Sequence, residues 1–105
     1  LKNKIIGVTC HNSLKLAKKA SLVGANYIAL GAFFKTKTKK VIFKTDINTL
    51  INIKKSVNLP VVAIGGITEK NYKKLLLNKA DFLAISGYIW NNKKLKPHQA
   101  IKNLT

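Results

Sequence analysis

The 105-residue chain contains no arginine. All 20 of its basic side chains are Lys, set against only three acids, Asp46, Glu69 and Asp81, for a formal net charge of +17. Specific base readout and bidentate phosphate clamping draw on the Arg fork, so its absence argues against a sequence-reading nucleic-acid protein. The charge itself favours nonspecific, salt-dependent contact with polyanions. However, the Lys residues are spread along the whole length, mostly on segments that read as solvated helix faces. With 11 Asn and frequent Ile, they look like compositional drift. One Cys excludes an internal disulfide framework, and one Cys with two His excludes an ordinary structural zinc site. No apolar run approaches the roughly 18 residues of a membrane span. The longest, Leu59 to Ile64, contains Pro60 and stops at Gly65-Gly66. The opening Leu1-Lys2-Asn3-Lys4 has neither an initiator Met nor the apolar core of a signal peptide. The expected compartment is the cytoplasm. An apolar fraction of 47% excludes full disorder.

What the chain does have is a fourfold alternation. Four short apolar runs, Ile5-Ile6-Gly7-Val8, Tyr27-Ile28-Ala29-Leu30, Val61-Val62-Ala63-Ile64 and Phe82-Leu83-Ala84-Ile85, are nearly continuous in hydrophobicity. That pattern suits strands buried on both faces, hence a parallel sheet covered by helices. Helical patterns follow each run. Ser13 can cap the first, with Gly24 just past its end, and Asp46 can cap the second. Thr68 can cap the third, with Glu69 in its first turn and Tyr72, Leu75 and Leu76 inward. Pro97 suits the first turn of the fourth, with Ala100, Ile101 and Leu104 inward. The order β-α-β-α-β-α-β-α implies right-handed crossovers between parallel strands. A small open doubly wound sheet and half of an eight-stranded barrel both fit. The open-sheet nucleotide binder expects a Gly-rich turn after its first strand, whereas here Thr9-Cys10-His11 follows. A whole barrel takes about 250 residues, so residues 1–105 are read as the C-terminal (β/α)4 half of one (β/α)8 TIM barrel domain.

In either architecture ligands lie at the C-terminal ends of the strands. Gly65-Gly66 there lets backbone approach an anion, and Ser86-Gly87 after the next strand can do the same beside a short turn at Tyr88-Ile89-Trp90. Gly-Gly alone would serve any tight turn; the two pairs on consecutive strands point to phosphate. In the loop Phe33 to Lys40, Thr36 and Thr38 would share one face of an extended segment, hydroxyls about 7 Å apart. Lys39 would add a point charge suited to phosphate or diphosphate. A solvated basic loop explains the same residues. Asp46, Glu69 and Asp81 sit at helix starts or on the opposite rim, so this segment offers no carboxylate set for Mg²⁺.

The chain resembles the C-terminal half of the thiamine phosphate synthase family. The resemblance rests on Ile6-Gly7-Val8-Thr9-Cys10-His11, Gly24-Ala25-Asn26-Tyr27-Ile28-Ala29-Leu30-Gly31, Thr36-Lys37-Thr38-Lys39, Pro60-Val61-Val62-Ala63-Ile64-Gly65-Gly66-Ile67 and Ala80-Asp81-Phe82-Leu83-Ala84-Ile85-Ser86. It implies a (β/α)8 barrel that condenses hydroxymethylpyrimidine diphosphate with thiazole phosphate, giving thiamine monophosphate and pyrophosphate. Mg²⁺ would be held by carboxylates of the other half-barrel, which this half needs as its partner. By the same resemblance Thr9 contacts the pyrimidine diphosphate, and Thr36 and Thr38 lie at the thiazole phosphate. Lys39 acts on the diphosphate, and Gly66, Ser86 and Gly87 cradle the thiazole phosphate. Family members usually carry Ser where this chain has Thr9, often Pro where it has Ala32, and an aliphatic residue then Ser where it has Ser86-Gly87.

Two other readings use the same residues. A thiazole tautomerase of the same fold would move a proton with a His, and His11 is on the ligand side; the complete Thr-x-Thr-Lys loop favours the synthase. A basic non-catalytic polyanion-binding module would interleave a Lys stripe with aromatics, but the aromatics here lie mostly in or beside the apolar runs. Cys10 is expected to pack on the face opposite Thr9, His98 to be solvated, and Trp90 to pack beneath the site.

Overall fold

The computed structural model describes residues 3–34 and 45–104. In chain order the elements are β1 (Gly7–His11), α1 (Leu14–Leu22), β2 (Tyr27–Leu30), α2 (Ile47–Ser56), β3 (Val61–Ile64), α3 (Tyr72–Leu77), β4 (Phe82–Ala84), α4 (Gly87–Trp90) and α5 (Pro97–Lys102). The strands form one sheet in the order β1-β2-β3-β4, every neighbouring pair parallel. The first two helix starts are pinned locally. Ser13 accepts the Leu16 N–H at 3.1 Å, and Asp46 accepts the Thr49 N–H at 2.8 Å. Gly24, with φ +91°, turns the chain out of α1.

The two faces of the sheet differ sharply. Cys10, Ile28, Leu30, Val61 and Ala63 are buried in one core with Ala17 and Ala20 of α1, Leu50 and Ile53 of α2, and Leu75 of α3. The opposite face carries Thr9, Tyr27, Ala29, Val62, Ile64, Phe82 and Ala84, none of them buried, and Phe82 is 59% exposed. The apolar runs are thus two-faced as the pattern predicts, but among the described residues only one face is covered.

Four details differ from the sequence expectation. The first strand is shifted: β1 runs Gly7–His11, so Thr9, Cys10 and His11 lie within it, while Ile5 and Ile6 precede it and are exposed. The third helix begins at Tyr72 with Asn71 as its N-cap, because the Thr68 hydroxyl accepts from Lys70 N–H and the Thr68 carbonyl accepts from the N–H groups of Asn71 and Tyr72. Residues 68–71 are therefore a turn, and Glu69 belongs to it. A one-turn helix, α4, precedes the last one. Finally, Leu76, Ile101 and Trp90 face outward, Trp90 with 71% exposure. Each follows a buried neighbour (Leu75, Ala100, Ile89), and successive helical residues point about 100° apart, so in these short helices the covered side takes the first of each pair and leaves the second at its edge.

Candidate phosphate-binding site

The strand register assembles the candidate site. Ile64 pairs with Ala84 at the end of the β3–β4 ladder, so Gly65-Gly66 and Ile85-Ser86-Gly87 are the chain segments that leave two adjacent strands at the C-terminal edge. Gly65 and Gly66 both have positive φ, +100° and +65°. They do different work. A Cβ on Gly65 would meet the Ala32 side chain and stand 2.6 Å from Ala32 Cα, so Gly65 is needed for the close approach of two loops. Gly66, the next residue, is the candidate for an anion contact. Among the described residues no acceptor meets the N–H of Gly66 or of Ile67. Beside them Ser86 is the N-cap of α4. Its carbonyl accepts from Ile89 and Trp90 N–H at 3.0 Å, and its hydroxyl makes no capping bond. Gly87 is the first helical residue.

Thr9 lies further along the sheet. It is exposed on the uncovered face, in register with Ala29, which pairs with Val62, which pairs with Phe82. Thr9 is the middle residue of β1, not a residue past its end as the sequence suggests; strands about 4.8 Å apart leave it roughly 14 Å from β4, so Thr9 and Ser86 would not share one phosphate. Cys10 points the other way and is fully buried, as expected, and its burial pushes the thiol pKa up. His11 has φ +55° and sits at a register shift in the β1–β2 pairing. His98 is exposed.

Thr36, Thr38 and Lys39 lie outside the described residues. The ends of that segment are anchored at the same rim: Phe34 N–H donates to Gly65 O at 3.1 Å, and Thr45 N–H to Ala32 O at 3.0 Å.

The acids do not make a metal site. Among the described residues no group of three His, Cys, Asp or Glu could hold an ion. Asp46 is committed to its cap, and the Thr49 N–H holds its pKa below the ordinary Asp value. Asp81 lies on the N-terminal rim, 2.7 Å from Lys54 Nζ and accepting the Val61 N–H at 2.8 Å. Partial burial pushes its carboxyl up, but the bonds from Lys54 and Val61 and the Lys54 charge outweigh this and hold it low. Glu69 faces Tyr88, whose enclosed hydroxyl lacks a well-formed hydrogen bond among the described residues. Burial first, then Glu69, push that phenol up. These residues do not fit Mg²⁺. A groove of about 390 Å³ lined by Ile51, Lys54, Lys55, Leu77, Asn78 and Lys79 flanks Asp81 on that same N-terminal rim, away from the glycine loops.

The residue that sequence reading passes over is Asn71. Its side chain reaches back to Gly66 and Thr68 rather than capping α3. An Asn five residues after a Gly-Gly is the only signal it leaves.

The sequence pattern of the family described as thiamine monophosphate synthase matches residues 1–89. A thiamine-phosphate synthase of Pelagibacter ubique is 67% identical over 104 residues, which is 99% of this chain and 50% of that protein. That of Nitrosomonas eutropha is 41% identical over 90 residues, 86% of this chain and 42% of that protein. A solved structure, thiamine phosphate pyrophosphorylase from Pyrococcus furiosus, superposes with a TM-score of 0.81 at 31% identity, covering 97% of this chain and 47% of that one. The chain spans about half the length of these relatives.

Proposed function

The chain belongs to the thiamine monophosphate synthase family, and from that premise we propose that it forms the C-terminal (β/α)4 half of a (β/α)8 barrel that makes thiamine monophosphate. The reaction is a transfer. The bond between the pyrimidine methylene carbon and the diphosphate oxygen breaks, the thiazole nitrogen bonds to that carbon, and pyrophosphate leaves. A largely dissociative reaction of this kind asks for stabilisation of the departing diphosphate and exclusion of water rather than for a protein nucleophile.

The observation that carries the reading is the β3–β4 pairing, which ends at Ile64 and Ala84, so that the segments holding Gly66 and Ser86-Gly87 leave neighbouring strands at the C-terminal edge of a sheet with one uncovered face. In this proposal the backbone N–H groups of Gly66 and Ile67 and the start of α4 hold the thiazole phosphate. Thr9, across the sheet, meets the pyrimidine diphosphate. Thr36 and Thr38 line the thiazole phosphate side, and Lys39 meets the charge that grows on the leaving pyrophosphate. Their segment is anchored at Gly65 and Ala32, beside the glycine turn, which supports that assignment. The uncovered face and the half-length match favour a second half-barrel as the partner, and that half would supply the carboxylates for Mg²⁺. The proposed compartment is the cytoplasm. No helix among the described residues is long and apolar enough to cross a membrane.

Steady-state kinetics of the full-length protein, varying both substrates, test it. Lys39→Ala should lower turnover about 100-fold or more, the scale of losing one preorganised donor at a developing charge. Thr36→Ala and Thr38→Ala should mainly weaken thiazole phosphate binding, and Lys37→Ala should change little, with Lys40→Ala falling between it and Lys39→Ala. Equal losses at Lys37 and Lys39 would reduce the loop to a solvated charge run.

A further inference from the structure

We propose that Asn71 is a positioning residue that holds the Gly66–Thr68 turn open toward the phosphate, an inference that rests on Gly66 being the phosphate-binding glycine. Its amide spans the turn: Nδ2 donates to the Gly66 carbonyl at 3.0 Å, and Oδ1 accepts the Thr68 N–H at 2.8 Å. The amide orientation follows from the partners, since a carbonyl can only accept and an N–H can only donate.

The bonds come at the expense of the helix. Asn71 is the N-cap of α3, where an Asn normally accepts an N–H of the first turn, and here it makes no such bond. The side chain is turned backward onto the loop. By drawing the Gly66 carbonyl to one side, Asn71 sets the plane of the Gly66–Ile67 peptide and so fixes the direction of the Ile67 N–H. By taking the Thr68 N–H, it removes the next donor in line from competition. The turn then presents the N–H groups of Gly66 and Ile67, which meet no acceptor among the described residues. A donor pair held in place before binding costs less ordering when the anion arrives.

Asn71→Ala and Asn71→Asp in the full-length protein test this. The Asp variant keeps the acceptor for Thr68 and removes the donor to Gly66. Both should raise KM for the thiazole phosphate about tenfold, the scale expected when a backbone N–H that would meet the phosphate charge loses its alignment, and leave KM for the pyrimidine diphosphate unchanged. A purely structural role would lower the folded fraction and thus kcat, without separating the two KM values. Gly66→Ala, strained at φ +65°, serves as the reference. If it raises the thiazole phosphate KM while both Asn71 variants leave it unchanged, the positioning role is overturned. If Gly66→Ala itself leaves that KM unchanged, the phosphate assignment falls, and the role of Asn71 falls with it.

Discussion

Gly65→Ala should destabilise the protein far more than Gly24→Ala, although both glycines have similar backbone angles, φ +100° and +91°. The angle alone costs an L-residue about 1–2 kcal/mol. At Gly24 nothing lies within 4 Å of the added Cβ, so that strain is the whole effect. At Gly65 the Cβ meets Ala32, 2.6 Å from its Cα. Ala32 cannot easily retreat. Its carbonyl accepts the Thr45 N–H, and on its other side Phe33 and Phe34 N–H donate to the carbonyls of Ile64 and Gly65. Forcing atoms into such a packed site adds about 1–3 kcal/mol. With a urea slope near 2 kcal/mol per molar, the two variants of the full-length protein should differ in midpoint by roughly 0.5–1.5 M. Equilibrium unfolding followed by circular dichroism reads this directly. Equal midpoints would mean that Gly65 is an ordinary turn glycine and that the two loops are not locked together.

Asp81→Asn keeps an acceptor for Val61 N–H but removes the charge opposite Lys54. The folded-state pKa of Asp81 is depressed, so its contribution is present above the unfolded value and is lost as the pH falls through the folded one. With the pair's side chains 23% and 38% exposed, the difference from the parent should be at most about 1 kcal/mol near neutrality. It should fade below about pH 4; a difference that grows on acidification would contradict the ion-pair account. Residues 1–105 expressed alone should be insoluble, self-associated or poorly folded, and inactive, because Phe82 and its row stand uncovered between the open edges of β1 and β4. A soluble monomer in sedimentation that turns over both substrates would refute this.

Much of the architecture was legible in the residues because it depends on local chemistry. Four short apolar runs rich in β-branched and aromatic residues and bounded by polar or Gly-rich stretches suit short strands, though the first strand lies two to three residues beyond its run, and Ser13 and Asp46 declare helix starts through bonds three residues long. The candidate site residues Gly66, Ser86 and Gly87 were legible as positions just past strand ends for the same reason, whereas Thr9, read as following the first strand, lies in the middle of β1. The division of labour within Gly65-Gly66 was not, because it depends on Ala32, more than 30 positions away in the chain. Asn71 escaped notice because its role is to bond backward across a turn whose shape is set by how β3 meets α3. Leu76, Trp90 and Ile101 read as apolar positions and are exposed, since burial in a short helix is decided by which side meets the sheet. The sequence by itself therefore determined the four strands and the four longer helices in outline, their order and their parallel sense, all products of hydrophobic pattern and capping. Only the tertiary structure decided which sheet face is covered, which glycine is pressed against Ala32 and which strand ends stand side by side, because these depend on contacts between segments distant in the chain.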